Sequence, residues 1–99
     1  MDLTEFLLAR IAEDEAWQRE HAHFHEAPEY VPPWWKRVDR ECEAKRRIVE
    51  RHRFKPIPKY DTRPQLDWCA CLKDWPCPDL LDLASVYADH PDYDEDWRP

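Results

Sequence analysis

The chain has 99 residues, of which 37% are charged, with a net charge of −7 and a mean hydropathy of −0.97. That length holds one small domain, and no stretch approaches the ~20 apolar residues of a membrane-spanning helix. Glycine is absent, which excludes glycine-rich phosphate loops.

What remains is a polar chain with six Trp, four Tyr and three Phe, aromatic area enough for a small core. Ordering a chain of this size costs on the order of 100 kcal/mol or more. One small core leaves a thin margin over that cost, so a metal staple is a natural supplement. Asn is absent too, so tight turns at positive φ are expected to use Asp or His. The start, MDLTEFLLARIAEDE, lacks the basic residues and the cleavage site of a signal peptide. A cytoplasmic protein is expected, and clustered thiols in a reducing compartment point to metal before disulfide.

Charge is unevenly placed. Residues 1–29 carry eight acids and two Arg, net −6; residues 36–55 carry nine Lys/Arg and four acids, net +5. Residues 56–88 are net −2 and residues 89–99 net −4.

Residues 1–26 form the first segment, with a helix expected from Asp2 to about Phe24. Asp2 or Thr4 can cap it, and Glu5 sits in its first turn. Leu3, Leu7 and Ile11 recur at helical spacing beside Phe6 and Leu8; the second half keeps Ala16, Trp17 and Phe24. His21, His23 and His25 alternate. His21 and His25 could share a metal on a helix, but a solvated helix end is the expectation. The Pro-aromatic linker APEYVPPWW follows, and Pro33 can occupy the first turn of the next helix. Residues 33–53 read as that helix, basic on its outer faces. Trp35, Val38, Cys42, Val49 and His52 share one face, with Ile48 beside them. Glu41–Lys45 and Glu43–Arg47 are pairs at i, i+4 in the favourable order. Residues 54–77 form a loop carrying the cysteine cluster, and no strong strand is visible. Residues 78–88 read as a short helix, with Cys77 near its cap, Pro78 first and Asp79 suited to its dipole. Its apolar face holds Leu80, Leu81, Leu83, Ala84 and Tyr87, and Pro91 stops it. Residues 89–99 are an acidic aromatic tail, expected to pack back through Tyr93 and Trp97 with its acids facing water.

The chemistry lies in Cys69-x-Cys71-x5-Cys77. Zinc favours thiolates, and its structural sites take four Cys or His ligands. The helix start at the last thiol favours its thiolate. Cys42 and His52 are the main candidates for the fourth ligand, with His90 a third. Ten residues along a helix separate Cys42 from His52 by ~15 Å, so one ion cannot take both. His52 stands at the helix end beside the cluster and is the expected ligand; Cys42 is expected in the core. Four thiolates, with Cys42 included, would also admit an iron–sulfur cluster. The Cys71-x5-Cys77 spacing is similar to that of the WhiB-like iron–sulfur regulators, whose pattern adds a C-x-x-C pair and a glycine-rich turn.

Three segments, TEFLLARIAEDE, ECEAKRRIVERH and WPCPDLLDLASVYADHPDYDEDWRP, together resemble a family of short actinobacterial and actinophage proteins described as a domain of unknown function. The resemblance covers about half the chain and omits Ala16–Arg37 and Arg53–Asp67. It implies a site of a histidine soon after EAKRRIVE, a cysteine pair, and the cysteine of WPC. These fall on His52, Cys69, Cys71 and Cys77. One residue separates the pair here, where the family usually has two. A phage-encoded member would be expected to act on a host protein.

The expectation is thus a small, mainly α single domain of two longer helices and a short C-terminal helix, stapled by a zinc knuckle at His52, Cys69, Cys71 and Cys77. Zinc (Zn2+) would be structural, with Trp68 and Trp75 shielding it. The expected function is that of a protein-interaction or regulatory adaptor, not an enzyme, with no membrane role. The alternatives are a nucleic-acid-associated regulator using residues 36–55, with Arg46, Arg47, Arg51 and Arg53 foremost, and an iron–sulfur redox sensor.

Overall fold

The computed structural model describes residues 1–21, 33–55 and 68–99. Three helices dominate: α1 over Leu3–His21, α2 over Pro33–Arg51 and α3 over Pro78–Ser85. Two short strands, β1 at Phe54–Lys55 and β2 at Trp68–Cys69, pair antiparallel with Phe54 opposite Cys69 and Lys55 opposite Trp68. A 3-10 turn, Glu95–Trp97, ends the chain. The protein is a small, mainly α domain, as its sequence implies.

α1 begins on a reciprocal cap. The Glu5 N–H donates to Asp2 Oδ1 at 2.7 Å, and the Asp2 N–H to Glu5 Oε2 at 3.3 Å. Two orphan donors of the first turn are thereby satisfied. Asp2 is the cap; Thr4 is instead buried. Leu3, Phe6, Leu7 and Ile11 form the buried stripe. The second half departs from expectation: Trp17 is 50% exposed and Gln18 is buried. Gln18 Nε2 donates to the Trp35 carbonyl at 3.1 Å and to Asp39 Oδ1 at 3.4 Å, pinning α1 to the start of α2. A buried amide is tolerated because those acceptors receive its hydrogens. His21 folds back on its own helix, stacked on Trp17 at 4.0 Å and with Nδ1 2.8 Å from the Trp17 carbonyl. His23, His25 and Phe24 lie outside the described residues.

α2 buries Trp35, Cys42 and Val49, and half-buries Val38, Ile48 and His52. Its inward cations find partners on other elements. Arg46 pairs with Glu15 of α1. Lys45 Nζ donates to the Tyr87 hydroxyl at 3.1 Å, which donates to Asp14 Oδ2 at 2.9 Å. The expected Glu41–Lys45 pair is therefore not formed; Glu41 takes Arg37 at 3.6 Å, because Lys45 turns inward. Glu43 pairs with Arg47 at 3.9 Å.

α3 buries Leu80 and Ala84 and half-buries Leu81 and Leu83. Cys77 is its N-cap and Pro78 its first residue. It ends at Ser85, short of residue 88 and well before Pro91: the Val86 N–H turns back to the Leu83 carbonyl at 3.4 Å. Successive turns follow, with Tyr87 N–H to Ala84 O at 2.9 Å and His90 N–H to Tyr87 O at 2.9 Å.

The tail packs back as expected. Tyr93 and Trp97 are buried, and Asp89, Asp92, Asp94, Glu95 and Asp96 face water. Phe6, with no exposed surface, is the hub. Its ring meets Trp97 at 5.0 Å, His90 at 5.8 Å, Tyr93 at 6.0 Å and Tyr87 at 6.3 Å. Removing such a side chain costs about 3–5 kcal/mol.

Candidate metal centre

Three elements converge on one point. His52 lies just past the last turn of α2, where its N–H still bonds the Val49 carbonyl at 3.2 Å. Cys69 ends β2, and Cys77 caps α3. Between them the chain makes a tight knuckle. The Cys69 N–H bonds the Lys73 carbonyl at 2.9 Å, and the Leu72 N–H bonds the Cys69 carbonyl at 2.9 Å. The Ala70 N–H bonds the Arg53 carbonyl at 2.8 Å, fastening the knuckle to the end of α2. The short strands are thus part of the site, and the described residues of the expected loop over 54–77 hold this strand pair and the knuckle. The knuckle turns on Leu72, whose φ is 73°. Asp or His was expected at such a position; here a leucine accepts the left-handed region at about 1–2 kcal/mol.

The knuckle brings His52, Cys69, Cys71 and Cys77 together, their ligand atoms all within 4.8 Å of one another. His52 Nδ1 is 3.5 Å from Cys69 Sγ and 3.4 Å from Cys77 Sγ, and Cys71 Sγ is 3.7 Å from Cys77 Sγ. The four cysteines are free thiols. A tetrahedral zinc with Zn–S about 2.3 Å and Zn–N about 2.05 Å sets its sulfurs about 3.8 Å apart and its nitrogen about 3.6 Å from sulfur. These three separations lie within about 0.2 Å of those edges, and no pair of ligand atoms is more than 4.8 Å apart. The cluster can hold a metal ion.

The surroundings divide the thiols. Burial pushes Cys69 up to about 12, so it keeps its proton unless a cation displaces it. Cys71 is held down to about 7, chiefly by the Lys73 backbone N–H donating to its sulfur. On the far side of the imidazole, His52 Nε2 lies 3.4 Å from Asp79 Oδ2. A carboxylate there keeps the ring proton on Nε2 and leaves the Nδ1 lone pair facing the thiols. Sequence reasoning saw Asp79 only as a match to the α3 dipole. Its place two residues after the last cysteine was the available signal for this second role.

Cys42 and His90 stand elsewhere. Cys42 is buried in the core on α2, its thiol pushed up by burial and by Asp14. His90 Nδ1 is 2.9 Å from Arg10 Nη1. Trp68 and Trp75 flank the knuckle, both half-buried, with Trp75 against Phe54 at 5.6 Å.

A short α-helical domain closed by a three-cysteine, one-histidine cluster is the class that fold and site define. The chain belongs to a family described as a family of unknown function (DUF6221), whose pattern matches residues 1–99. The match thus also takes in the two segments that the motif resemblance omits. No curated protein and no solved structure matches the chain. No helix among the described residues is long and apolar enough to cross a membrane.

Proposed function

We propose that the protein is a zinc-stapled interaction module: a protein-interaction or regulatory adaptor that holds a protein partner and is not an enzyme. The observation that supports the zinc reading most strongly is the convergence of His52, Cys69, Cys71 and Cys77, with their ligand atoms within 4.8 Å of one another and three of the separations close to tetrahedral edges. Four protein ligands leave no open position for substrate or water, which is the mark of structural rather than catalytic zinc. Four ligand atoms all within 4.8 Å of one another suit a single ion better than a cluster, whose ligands spread over several irons. The ion would tie the end of α2 to the start of α3 and contribute ~10 kcal/mol or more to folding. For a phage-encoded member of the family, the partner would be a host protein.

The test is native mass spectrometry and metal analysis of the purified protein, before and after chelation. One zinc per chain, with unfolding on its removal, is the expected result. Iron would favour the redox-sensor reading, and a stable metal-free fold would end the staple reading.

A second reading, nucleic-acid association, draws on the outer face of α2. Lys36, Arg40, Arg47 and Arg51 are exposed there, and Lys36, Arg40 and Arg51 have no ion pair among the described residues. Binding to DNA or RNA that weakens steeply with salt would separate this reading from the first. Of its foremost candidates, Arg46 is engaged by Glu15 and Arg53 by Glu50.

A further inference from the structure

The three clustered thiols are not equally sheltered. Cys69 and Cys77 have no exposed surface, whereas Cys71 keeps part of its surface open to solvent. Cys71 immediately precedes Leu72, which is 78% exposed at the tip of the knuckle. Its sulfur lies 3.7 Å from that of Cys77, and a disulfide of about 2.05 Å needs them to close by only roughly 1.7 Å. Cys42 is buried on α2, outside the cluster.

We propose that Cys71 is an oxidation site for hydroperoxides, that Cys77 is its resolving thiol, and that the resulting disulfide expels the metal. The arrangement is an accessible sulfur beside a sheltered second one, the pairing found in reversible thiol sensors. The metal-release half rests on the zinc reading above; the disulfide half does not.

The step balances as follows. A lone pair of Cys71 sulfur attacks the peroxide oxygen, forming S–O as O–O breaks. The hydroperoxide leaves as water or alcohol, and Cys71 becomes a sulfenic acid. Cys77 sulfur then attacks Cys71 sulfur; S–S forms, S–O breaks, and hydroxide departs as water with a thiol proton. From metal-free thiols the peroxide takes two electrons and two protons; from the zinc-bound thiolates it takes the two electrons, and the two protons come from water. The ion then keeps only His52 and Cys69 of its four ligands, too few for a tetrahedral site. Its loss would untie α3 from the end of α2.

The test uses the whole reduced protein, loaded with zinc, and graded hydrogen peroxide. A zinc-binding dye reads release, while remaining thiols are alkylated and the protein is digested without reductant. Trypsin cuts after Lys73, so a bridge from either Cys69 or Cys71 to Cys77 joins two otherwise separate peptides, and fragmentation that locates the alkyl group on the remaining cysteine tells the two bridges apart. The expected result is one zinc released per bridge formed. Cys71–Cys77 linkage should exceed any linkage through Cys69 at least tenfold, with Cys42 alkylated throughout. Linkage through Cys69 at comparable yield overturns the proposal. So does zinc retained by the bridged protein, or Cys71 carried to sulfinic acid with no bridge. Reduced protein that carries no zinc refutes the zinc reading instead, and the linkage map then decides the disulfide half alone.

Discussion

Arg10 Nη1 meets His90 Nδ1 at 2.9 Å, joining α1 to the turns after α3 across 80 positions of sequence. The guanidinium is buried over the Phe6 ring at 5.2 Å, and its other arm donates to Glu13 at 2.9 Å. Asp92 Oδ2 stands 3.7 Å away. The Asp92 N–H also donates to His90 Nδ1, at 3.0 Å. Two donors on one ring nitrogen make Nδ1 the acceptor and assign the imidazole proton to Nε2.

Replacing that acceptor should therefore be costly. His90→Phe keeps an aromatic ring against Phe6 but leaves a buried guanidinium arm unmatched, at about 1–3 kcal/mol. His90→Gln, with an amide oxygen to accept, should recover part of the loss. Urea unfolding of both variants is the measurement, and equal stability of His90→Phe and the wild type would show that the contact contributes nothing.

The cysteines should separate by role. Cys71→Ser and Cys77→Ser are expected to release zinc or unfold the domain, since the ion contributes ~10 kcal/mol or more. Cys42→Ala should keep one zinc per chain and lose only about 1–2 kcal/mol to a small cavity. Metal retained at full occupancy in both Ser variants would refute the ligand assignment.

Zinc affinity should climb with pH. Cys69, pushed up to about 12, must surrender a proton to bind, so apparent affinity gains about tenfold per pH unit from this thiol alone. Below about 7, where Cys71 also holds its proton, the dependence should steepen. The sign reverses for the metal-free fold. A thiol whose value is raised by folding contributes stability fully present below its ordinary 9.0 and lost as pH rises towards 12. Competition against a chelator between pH 6 and 8 reads the first effect; a flat profile would rule out displacement of a thiol proton.

Leu72→Gly should stabilise the protein. The leucine has φ of 73° and a side chain that is largely exposed, so glycine removes a steric cost and loses little packing. Allowing for the greater freedom of glycine in the unfolded chain, the net gain is about 0.5–1 kcal/mol. A rise in thermal midpoint checks it, and a fall would mean that the side chain packs against something.

The helices were legible because their signals are local and repeated. Leu3, Leu7 and Ile11 recur on one stripe, and Asp2 with Glu5 spells a cap. The rise of a helix showed that one ion cannot take both Cys42 and His52, and the place of His52 at the helix end, beside the loop that leads to the cluster, made the choice. Leu72 was illegible for the opposite reason: the hairpin forces a leucine into a region that its own side chain disfavours, so tertiary pairing overrides local preference. The strands are two residues each, too short to show alternation. Arg10 and Gln18 carry no apolar signal in the sequence, and only the return of the tail and the approach of α2 give them buried partners. Trp17 misled the reading because it is half exposed, while the polar Gln18 beside it is the residue that turns inward onto α2.

The Phe6 hub sets an order of assembly. Its aromatic neighbours, Tyr87, His90, Tyr93 and Trp97, are all made near the other end of the sequence. At about 5–20 residues per second, Trp97 follows Phe6 out of the ribosome by roughly 5–18 s. During that interval Phe6 lacks its aromatic covering even where α2 has already packed on α1, and the thiols emerge before the tail that will shelter the hub. The nascent chain must wait with the Phe6 face open, a period in which a chaperone, or an early partner, has its best access to α1.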